Sequence, residues 1–403
     1  MNNKSVFYIV SIACVFFAAF GSFYSSEWNR WGLYYALPVA CILSFIINEG
    51  SIIANKHVTR LWGLLLWVTI SVPFAKYTNL AIRELHQVLG VLLISFLFGT
   101  LSKNKKAIPW LYFTYIILYL SVWYYARQNI LFDISFGEDR LDDDRLNANM
   151  LAYYTFFITF LVFVLGEILH GPFIRKVFRY LFFLIIPLTF WVAMFTASRQ
   201  VFIIQIPFIS VLLYWRYLKT AKSIYKVLFI VAAIIGLIVL FPLADSLYQG
   251  SLLQRRNSRA VENDVRIKLI VDSFWVGINH FFTGVGAGNY PAYSFDGHFS
   301  HNTFLELFAN NGIVGLVLII RIYVSFIRDQ FSRFKESRDS MFLYFGVFGL
   351  FFLIDSMFYV FYSKIWLMGF FILVMSHSEM YYKESKKTVQ NEKVGYYSGR
   401  KSW

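Results

Sequence analysis

A short segment in the last third of the chain places two histidines and a glutamate close together. It reads DGHFSHNTFLELF and contains His298, His301 and Glu306. These residue types are common metal ligands, but their spacing is not that of a helical HExxH site and no third ligand is evident. The sequence therefore predicts no metal site here.

Two arginines lie where an anion is expected to bind. Arg199 follows MFTAS between two apolar segments, where a helix start would add amide donors to the guanidinium fork and bind a phosphate. Its alternative role is an anchor that reaches the membrane interface. Arg266 lies in segment 264–281, whose apolar residues recur at helical spacing and predict an amphipathic helix on the outer membrane surface. Its alternative is a solvated polar face.

Other polar residues near predicted helix starts are weaker candidates. Arg83 adjoins Glu84 in NLAIRELHQ, and a local ion pair is its alternative role. The glycines of GVGAGN permit a sharp turn of the chain towards the membrane, after which SHN begins a helix. This places His301 and Asn302 at the outer mouth of the predicted bundle, with helix capping as the alternative for Asn302.

The elements that must hold these residues are membrane helices. Of the 403 residues, 58% are hydrophobic and 15% are charged, and apolar runs of about 20 residues recur along the chain. Backbone groups in lipid must bond within their own segment, which favours helices. We predict an all-α polytopic membrane bundle of about twelve spans, near 5–23, 31–47, 60–77, 80–100, 108–126, 149–169, 180–197, 199–217, 227–246, 302–327, 341–361 and 364–378.

The formal charge of +14 reflects the orientation of this bundle. Lysines and arginines concentrate in alternate connections, which indicates that these connections and both termini are cytoplasmic. The membrane lipids are then the partners of the basic loops, and we expect no nucleic acid. The opposite side receives the acidic connection 128–148 and a large loop of about residues 247–301.

The chain is predicted to form one integral membrane domain over residues 1–378. Both cysteines, Cys14 and Cys41, fall in apolar spans, so a disulfide framework or zinc site is not expected. Residues 379–403 form a polar, charged segment, which we expect to be a loose cytoplasmic tail.

The order of these features resembles a family. NANMLA at 147–152, TASRQ at 196–200, the loop segment DVRIKLIVDSFWVGINHFFTGVGAGNY and then HFSHNTFLELFANNGIVGLVLI are together similar to the O-antigen ligase and polymerase superfamily, which includes Wzy-type polysaccharide polymerases. The similar stretch covers roughly residues 147–320.

The resemblance implies a glycosyltransferase of the bacterial inner membrane that acts on undecaprenyl-diphosphate-linked oligosaccharides at its periplasmic face, without metal or other cofactor. Loop 247–301 is then periplasmic. His301 is implied as the catalytic base, and Arg199 and Arg266 as the arginines that bind the diphosphate. Further substrate-binding candidates with orienting or assisting roles are Asn149, Asn302, Glu306, His298 and Arg83.

Three activities remain open at this point. The run SHNTFLELFANNGIVGL is more similar to polymerases, which assemble O-antigen or related polysaccharide with a chain-length regulator as a further partner. The paired histidines are more similar to ligases, which transfer the polymer to lipid A core. A flippase for the same lipids is the alternative from a different class, but we find no symmetric pair of interrupted helices.

Overall fold

The computed structural model describes residues 3–50, 55–129, 148–196, 204–227, 231 and 265–399. Helices are the regular elements of these ranges, and no strand occurs within them. Short π-helical pieces span Gly32–Ala36 and Tyr214–Leu218, and a 3-10 helix spans Val72–Phe74. In chain order the α-helices are α1 (Asn3–Tyr24), α2 (Ser26–Trp31), α3 (Leu37–Ile47), α4 (Lys56–Ile70), α5 (Thr78–Leu101), α6 (Ile108–Asn129), α7 (Ala148–Ile168), α8 (Pro172–Thr196), α9 (Ile206–Leu213), α10 (Val265–Asn279), α11 (Tyr290–Tyr293), α12 (Thr303–Ser337), α13 (Ser340–Asp355) and α14 (Ile365–Gly399).

Five helical segments in the described ranges are long and apolar enough to cross a membrane. They are Lys4–Tyr24, Ser26–Ile47, Thr78–Leu101, Met150–Ile168 and Thr303–Ser337. Two shorter apolar helical segments, Ile206–Leu218 and Ser340–Asp355, accompany them. The fold is thus that of an all-α membrane protein, while the twelve spans and the periplasmic loop stay predictions.

Helix α7 lies at the centre of the bundle. In its most apolar window 89% of the residues are buried, which is why its sequence is apolar on all sides rather than on one face. Its phenylalanines stack on neighbouring helices, with 4.6 Å between the ring centroids of Phe157 and Phe370 and 4.4 Å between those of Phe160 and Phe348. These contacts join α7 to α14 and α13. Around this core α1 packs on α3 and α6, and α5 on α14.

Three predicted spans end or break differently in the structure. The span predicted at 60–77 ends at Ile70 because Pro73 has no N–H to continue the α-helix, and a short 3-10 helix follows. The span at 341–361 ends at Asp355, because the carbonyls that follow bind the start of α12. The span at 302–327 reaches Ser337 but is broken at Gly312, where φ is 66° and ψ is −167°.

The segment 379–403, predicted as a loose cytoplasmic tail, is helical as far as Gly399 because α14 continues into it. Polar residues of this extension bind the end of α12 and the start of α13. The Arg333 guanidinium donates to Glu379 Oε2 at 2.5 Å, and the Tyr381 hydroxyl donates to Asp339 Oδ2 at 2.8 Å. A pattern of apolar runs in a sequence does not predict polar side-chain pairs of this kind.

Candidate functional site

The site is built around the first turn of α12. Asn302 is the N-cap residue, with its Oδ1 accepting from the amides of Phe304 at 2.9 Å and Leu305 at 3.1 Å. Its Nδ2 donates to the Met357 carbonyl at 3.2 Å. Capping satisfies amides that a helix start leaves without partners. The alternative role proposed for Asn302 is therefore the one observed.

The loop after α13 fixes this helix start from the side. The amide of Thr303 donates to the Ser356 carbonyl at 2.9 Å, and its hydroxyl donates to the Tyr359 carbonyl at 2.7 Å. The same hydroxyl oxygen accepts from the Phe361 amide at 2.9 Å. The loop thus forms hydrogen bonds with both the backbone amide and the hydroxyl of Thr303. The first turn of α12 cannot rotate without breaking these bonds.

His301 lies directly before the cap in a left-handed backbone conformation, with φ of 56°. A residue with a side chain seldom adopts this conformation, which costs energy and recurs at functional sites. The half-buried imidazole packs on Phe299, with 4.3 Å between ring centroids.

An aromatic row links His301 to the amino end of α7. The Phe299 ring lies 5.6 Å from Tyr359, and Tyr359 lies 5.1 Å from Tyr153. Tyr153 is one helical turn after Asn149, a candidate substrate-binding residue in the first turn of α7. The start of α7 and the start of α12 therefore lie at the same end of the bundle.

Glu306 holds the loop that carries His301. Its side chain is buried, with Oε2 accepting from the Ser300 amide at 2.6 Å and Oε1 from Asn310 Nδ2 at 3.1 Å. Asn310 must present its amide group in this direction because its Oδ1 accepts from the Tyr290 amide at 2.7 Å. Two donors thus point at one carboxyl group, one to each oxygen.

The glycine stretch of residues 284–288 contacts both the residues just before the break in α12 and the segment just before α5. The amides of Val285 and Gly286 donate to the carbonyls of Ala309 and Asn310, both at 2.9 Å. Gly286 has φ of 91°, and a side chain on it would clash with Ala75. The predicted sharp turn is confirmed, and the close approach of two backbones explains the glycine.

This contact brings a second group of charged residues near Glu306. Gly288 packs on Glu84 of α5, and the Tyr362 hydroxyl interacts with Glu84 and Asn310. Lys364 donates to Gln87 Oε1 at 3.3 Å. Its ammonium group is also close enough to interact with the charges of Glu84, Arg83 and Glu306. The candidate Arg83 is exposed on this rim. Sequence reasoning missed Tyr362 and Lys364, since nothing in their apolar surroundings indicates that α5 lies opposite.

Arg266 lies in the first turn of α10, and the predicted amphipathic helix of 264–281 is observed as Val265–Asn279. Gly277 packs on Phe308, and the Phe281 carbonyl accepts from the Ile313 amide at 2.7 Å. These contacts place the carboxyl end of α10 and the segment after it against Phe308–Ile313 of α12. Arg266 is half-buried and lies at the other end of α10 from these contacts.

The polar face of α10 is tied to the glycine loop by Tyr290. Its hydroxyl donates to the Leu269 carbonyl at 2.8 Å and to Asp272 Oδ2 at 3.2 Å. Burial raises the pKa of Tyr290 well above its ordinary value, and the carboxylates of Asp272 and Glu306 raise it further. Tyr290 therefore stays protonated and keeps donating to α10 at physiological pH.

The remaining candidates fall outside this arrangement. His298 is exposed, and its Nδ1 lies 2.6 Å from the Asp296 carbonyl oxygen. Arg199 lies outside the described residues. Within the described ranges, no group of three His, Cys, Asp or Glu side chains is placed to hold a metal ion. The structure thus brings together His301, Asn302 and Glu306, with Arg83 and the Asn149 turn nearby.

Comparison with known proteins gives one family match. Residues 181–320 match the family model described as O-antigen ligase, and this interval contains Arg199, Arg266, His298, His301, Asn302 and Glu306. No curated protein is similar enough to the chain to count as a match. The match indicates an enzyme of O-antigen assembly, of the ligase or polymerase type. The resemblance of this chain to the O-antigen ligase and polymerase superfamily is thereby confirmed over residues 181–320.

Proposed function

We propose that the protein is a membrane glycosyltransferase that polymerises undecaprenyl-diphosphate-linked oligosaccharide repeat units into O-antigen or a related surface polysaccharide. It acts in the bacterial inner membrane with its site facing the periplasm. The observation that carries this proposal is that the family match over 181–320 includes a histidine held at a helix start in the left-handed conformation. The run SHNTFLELFANNGIVGL supports the polymerase type.

His301 is the proposed general base. The acceptor sugar hydroxyl loses its proton to the imidazole as its oxygen attacks the anomeric carbon of the donor. A histidine titrates near neutral pH and so suits this transfer. The bonds of Thr303 and Glu306 fix the backbone on either side of His301, which supports the precise placement that proton transfer over a short distance requires.

Arg199 and Arg266 are the proposed ligands of the leaving group. As the bond from the anomeric carbon to the phosphate oxygen breaks, negative charge grows on the lipid diphosphate. Fixed guanidinium groups stabilise that charge through paired hydrogen bonds. Attack from the side opposite the departing diphosphate inverts the anomeric centre. The family match over residues 181–320, which contains Arg199, Arg266 and His301, supports this assignment.

The ligase is the second candidate function. The matching family model is described as O-antigen ligase, and a ligase uses the same base and the same leaving group. The acceptor is then lipid A core instead of a second lipid-linked repeat unit. A chain-length regulator would be a partner of the polymerase.

The experiment supplies purified protein in detergent with lipid-linked repeat units, with and without lipid A core. A polymerase lengthens the lipid-linked glycan without lipid A core, and the ladder of products is read on a gel. Transfer that requires lipid A core would establish the ligase. Movement of the lipids across vesicles with no new glycosidic bond would overturn both and support a flippase.

A further inference from the structure

A cluster of two arginines, a tyrosine and a glutamate lies at the carboxyl end of α7, remote from Tyr153. The Arg216 Nη2 pairs with Glu167 Oε1 and lies 3.5 Å from the Gly166 carbonyl oxygen. Arg179 Nη2 lies 3.9 Å from the same carboxylate oxygen. One carboxylate therefore faces two guanidinium groups, and the cluster keeps a net positive charge.

Several donors of this cluster have no acceptor among the described residues. Arg216 Nη1, Arg179 Nε and the Tyr217 hydroxyl are all buried and make no hydrogen bond there. The Arg216 side chain is only 7% exposed, and its guanidinium lies 5.3 Å from the centre of the Tyr217 ring. Buried donors are almost always satisfied in native proteins, so this set points to an acceptor beyond the described residues.

The surface next to the cluster is apolar. Phe173, Tyr180 and Leu184 of α8 are 77%, 69% and 65% exposed, and their spacing places them on one helix face. Lys176 of the same helix is exposed, and Lys219 packs its ammonium 4.0 Å from the centre of the Trp215 ring. Arg179 of the basic cluster and the apolar strip thus lie on the same helix, α8, and a lipid with a charged head group needs both kinds of surface.

We propose that Arg179, Arg216 and Tyr217 bind the phosphate of an anionic phospholipid, whose acyl chains lie along Phe173, Tyr180 and Leu184. Phosphate oxygens accept from guanidinium and hydroxyl donors at once. Basic pockets between membrane helices bind the head groups of anionic lipids on the same principle. The apolar strip favours a lipid over free phosphate, because free phosphate gains nothing from it. This site is separate from the proposed glycosyl-transfer site.

The test uses the full chain purified in a neutral detergent, with phosphatidylglycerol, phosphatidylcholine or inorganic phosphate added. Native mass spectrometry counts bound lipid, and thermal unfolding reports stabilisation. We expect phosphatidylglycerol to bind and to raise the unfolding temperature, with little effect of the other two. Equal binding of both lipids would overturn the proposal, and so would inorganic phosphate that stabilises as much as phosphatidylglycerol.

Variants locate the site. Arg179→Gln should weaken phosphatidylglycerol binding by about tenfold, since it removes charge-assisted bonds to phosphate. The double variant Glu167→Gln with Arg216→Gln keeps a neutral pair that can still fold, and it should lose the preference for phosphatidylglycerol. Lys103→Gln, an exposed lysine in a different connection, is the control and should bind normally. Wild-type affinity in both cluster variants would overturn the proposal.

Discussion

Glu306 is the residue on which the His301 loop depends. Its two oxygens receive the Ser300 amide and the Asn310 side-chain amide from different directions. The side-chain amide of Asn310 cannot turn over, because its Oδ1 already accepts from the Tyr290 backbone amide. Glu306 was predicted as a substrate-binding residue, and its observed contacts give it a positioning role.

Glu306→Gln is predicted to disturb the loop although its shape is unchanged. An amide has one acceptor for two buried donors, and an unsatisfied buried donor costs about 1–3 kcal/mol. We expect a loss of stability in this range in thermal or denaturant unfolding, together with reduced glycosyl transfer. Glu336→Gln is the control, since Glu336 is exposed and accepts a hydrogen bond from Ser332 on the surface. Equal stability of the two variants would show that Glu306 does not hold the loop.

His301→Asn separates the chemistry of His301 from its backbone. Asparagine tolerates the left-handed conformation, so the variant should fold with wild-type stability. Removal of a general base lowers the rate by about 10²–10⁴-fold, and we expect such a loss in the lipid-linked elongation assay. His298→Asn, which changes an exposed histidine, should lose much less. Comparable activity in both variants would rule out His301 as the base.

At the scale of elements, the break in α12 at Gly312 shapes the site. Its φ of 66° ends the first helical part, and a side chain there would clash with the Phe282 carbonyl. The freed backbone is not exposed to lipid, because Gly312 is buried between α4 and the segment after α10. The break therefore allows Thr303–Asn311 and the rest of α12 to pack independently.

Gly312→Ala is predicted to destabilise the protein by more than about 2 kcal/mol, from backbone strain and steric clash together. Gly63→Ala is the matched control, because Gly63 is exposed in α4 and a side chain there meets nothing within 4 Å. It should be neutral or gain about 0.5–1 kcal/mol from helix propensity. Unfolding in detergent measures both. Similar effects of the two substitutions would contradict the role of the break.

Tyr290→Phe tests the link between α10 and the glycine loop. Loss of the bonds to Leu269 and Asp272 should cost about 1 kcal/mol at neutral pH. Because the pKa of Tyr290 is raised in the folded protein, the tyrosine of the unfolded chain ionises first as the pH rises. The stability that the Tyr290 hydroxyl contributes is therefore complete only at a pH where the unfolded tyrosine is also neutral. Its advantage over phenylalanine should therefore shrink above about pH 10 as the unfolded form ionises. An unchanged difference at pH 7 and pH 11 would contradict this, and Tyr293→Phe is the exposed control.

The elements could be predicted from the sequence to different degrees. Apolar runs located the helices, and the amphipathic pattern of 264–281 located α10, because both signals are local. The break at Gly312 and the non-helical loop after Asp355 depend on contacts between distant segments, such as Thr303 with Tyr359. Glycine in an apolar run carries too little information to predict such a contact.

The candidate site was predictable in part for the same reason. His301 and Asn302 were placed at a helix start from the SHN sequence, which is a local signal. The partners of Glu306 could not be predicted, since Asn310 and Tyr290 each look like ordinary residues of an apolar segment. The place of Lys364 near this site depends on the packing of α5 beside the start of α14, and the sequence does not indicate that contact.

At the scale of the whole molecule, the two ends of the bundle differ in chemistry. One end has the helix starts of α7 and α12, and with them Asn149 and His301. The other has the Glu167–Arg216 pair and the basic connections. If the first end is periplasmic, the site faces the compartment where lipid-linked repeat units are joined, and the basic end faces the anionic inner leaflet.

The central claim is that a lipid diphosphate binds between Arg199 and Arg266 with its sugar beside His301. The most direct test is a structure of the full chain determined with an undecaprenyl-diphosphate-linked repeat unit bound. The account predicts both guanidinium groups within hydrogen-bonding distance of the diphosphate, and the His301 imidazole facing the anomeric carbon from the opposite side. A diphosphate bound elsewhere, with neither arginine in contact and the imidazole turned away from the sugar, would contradict it.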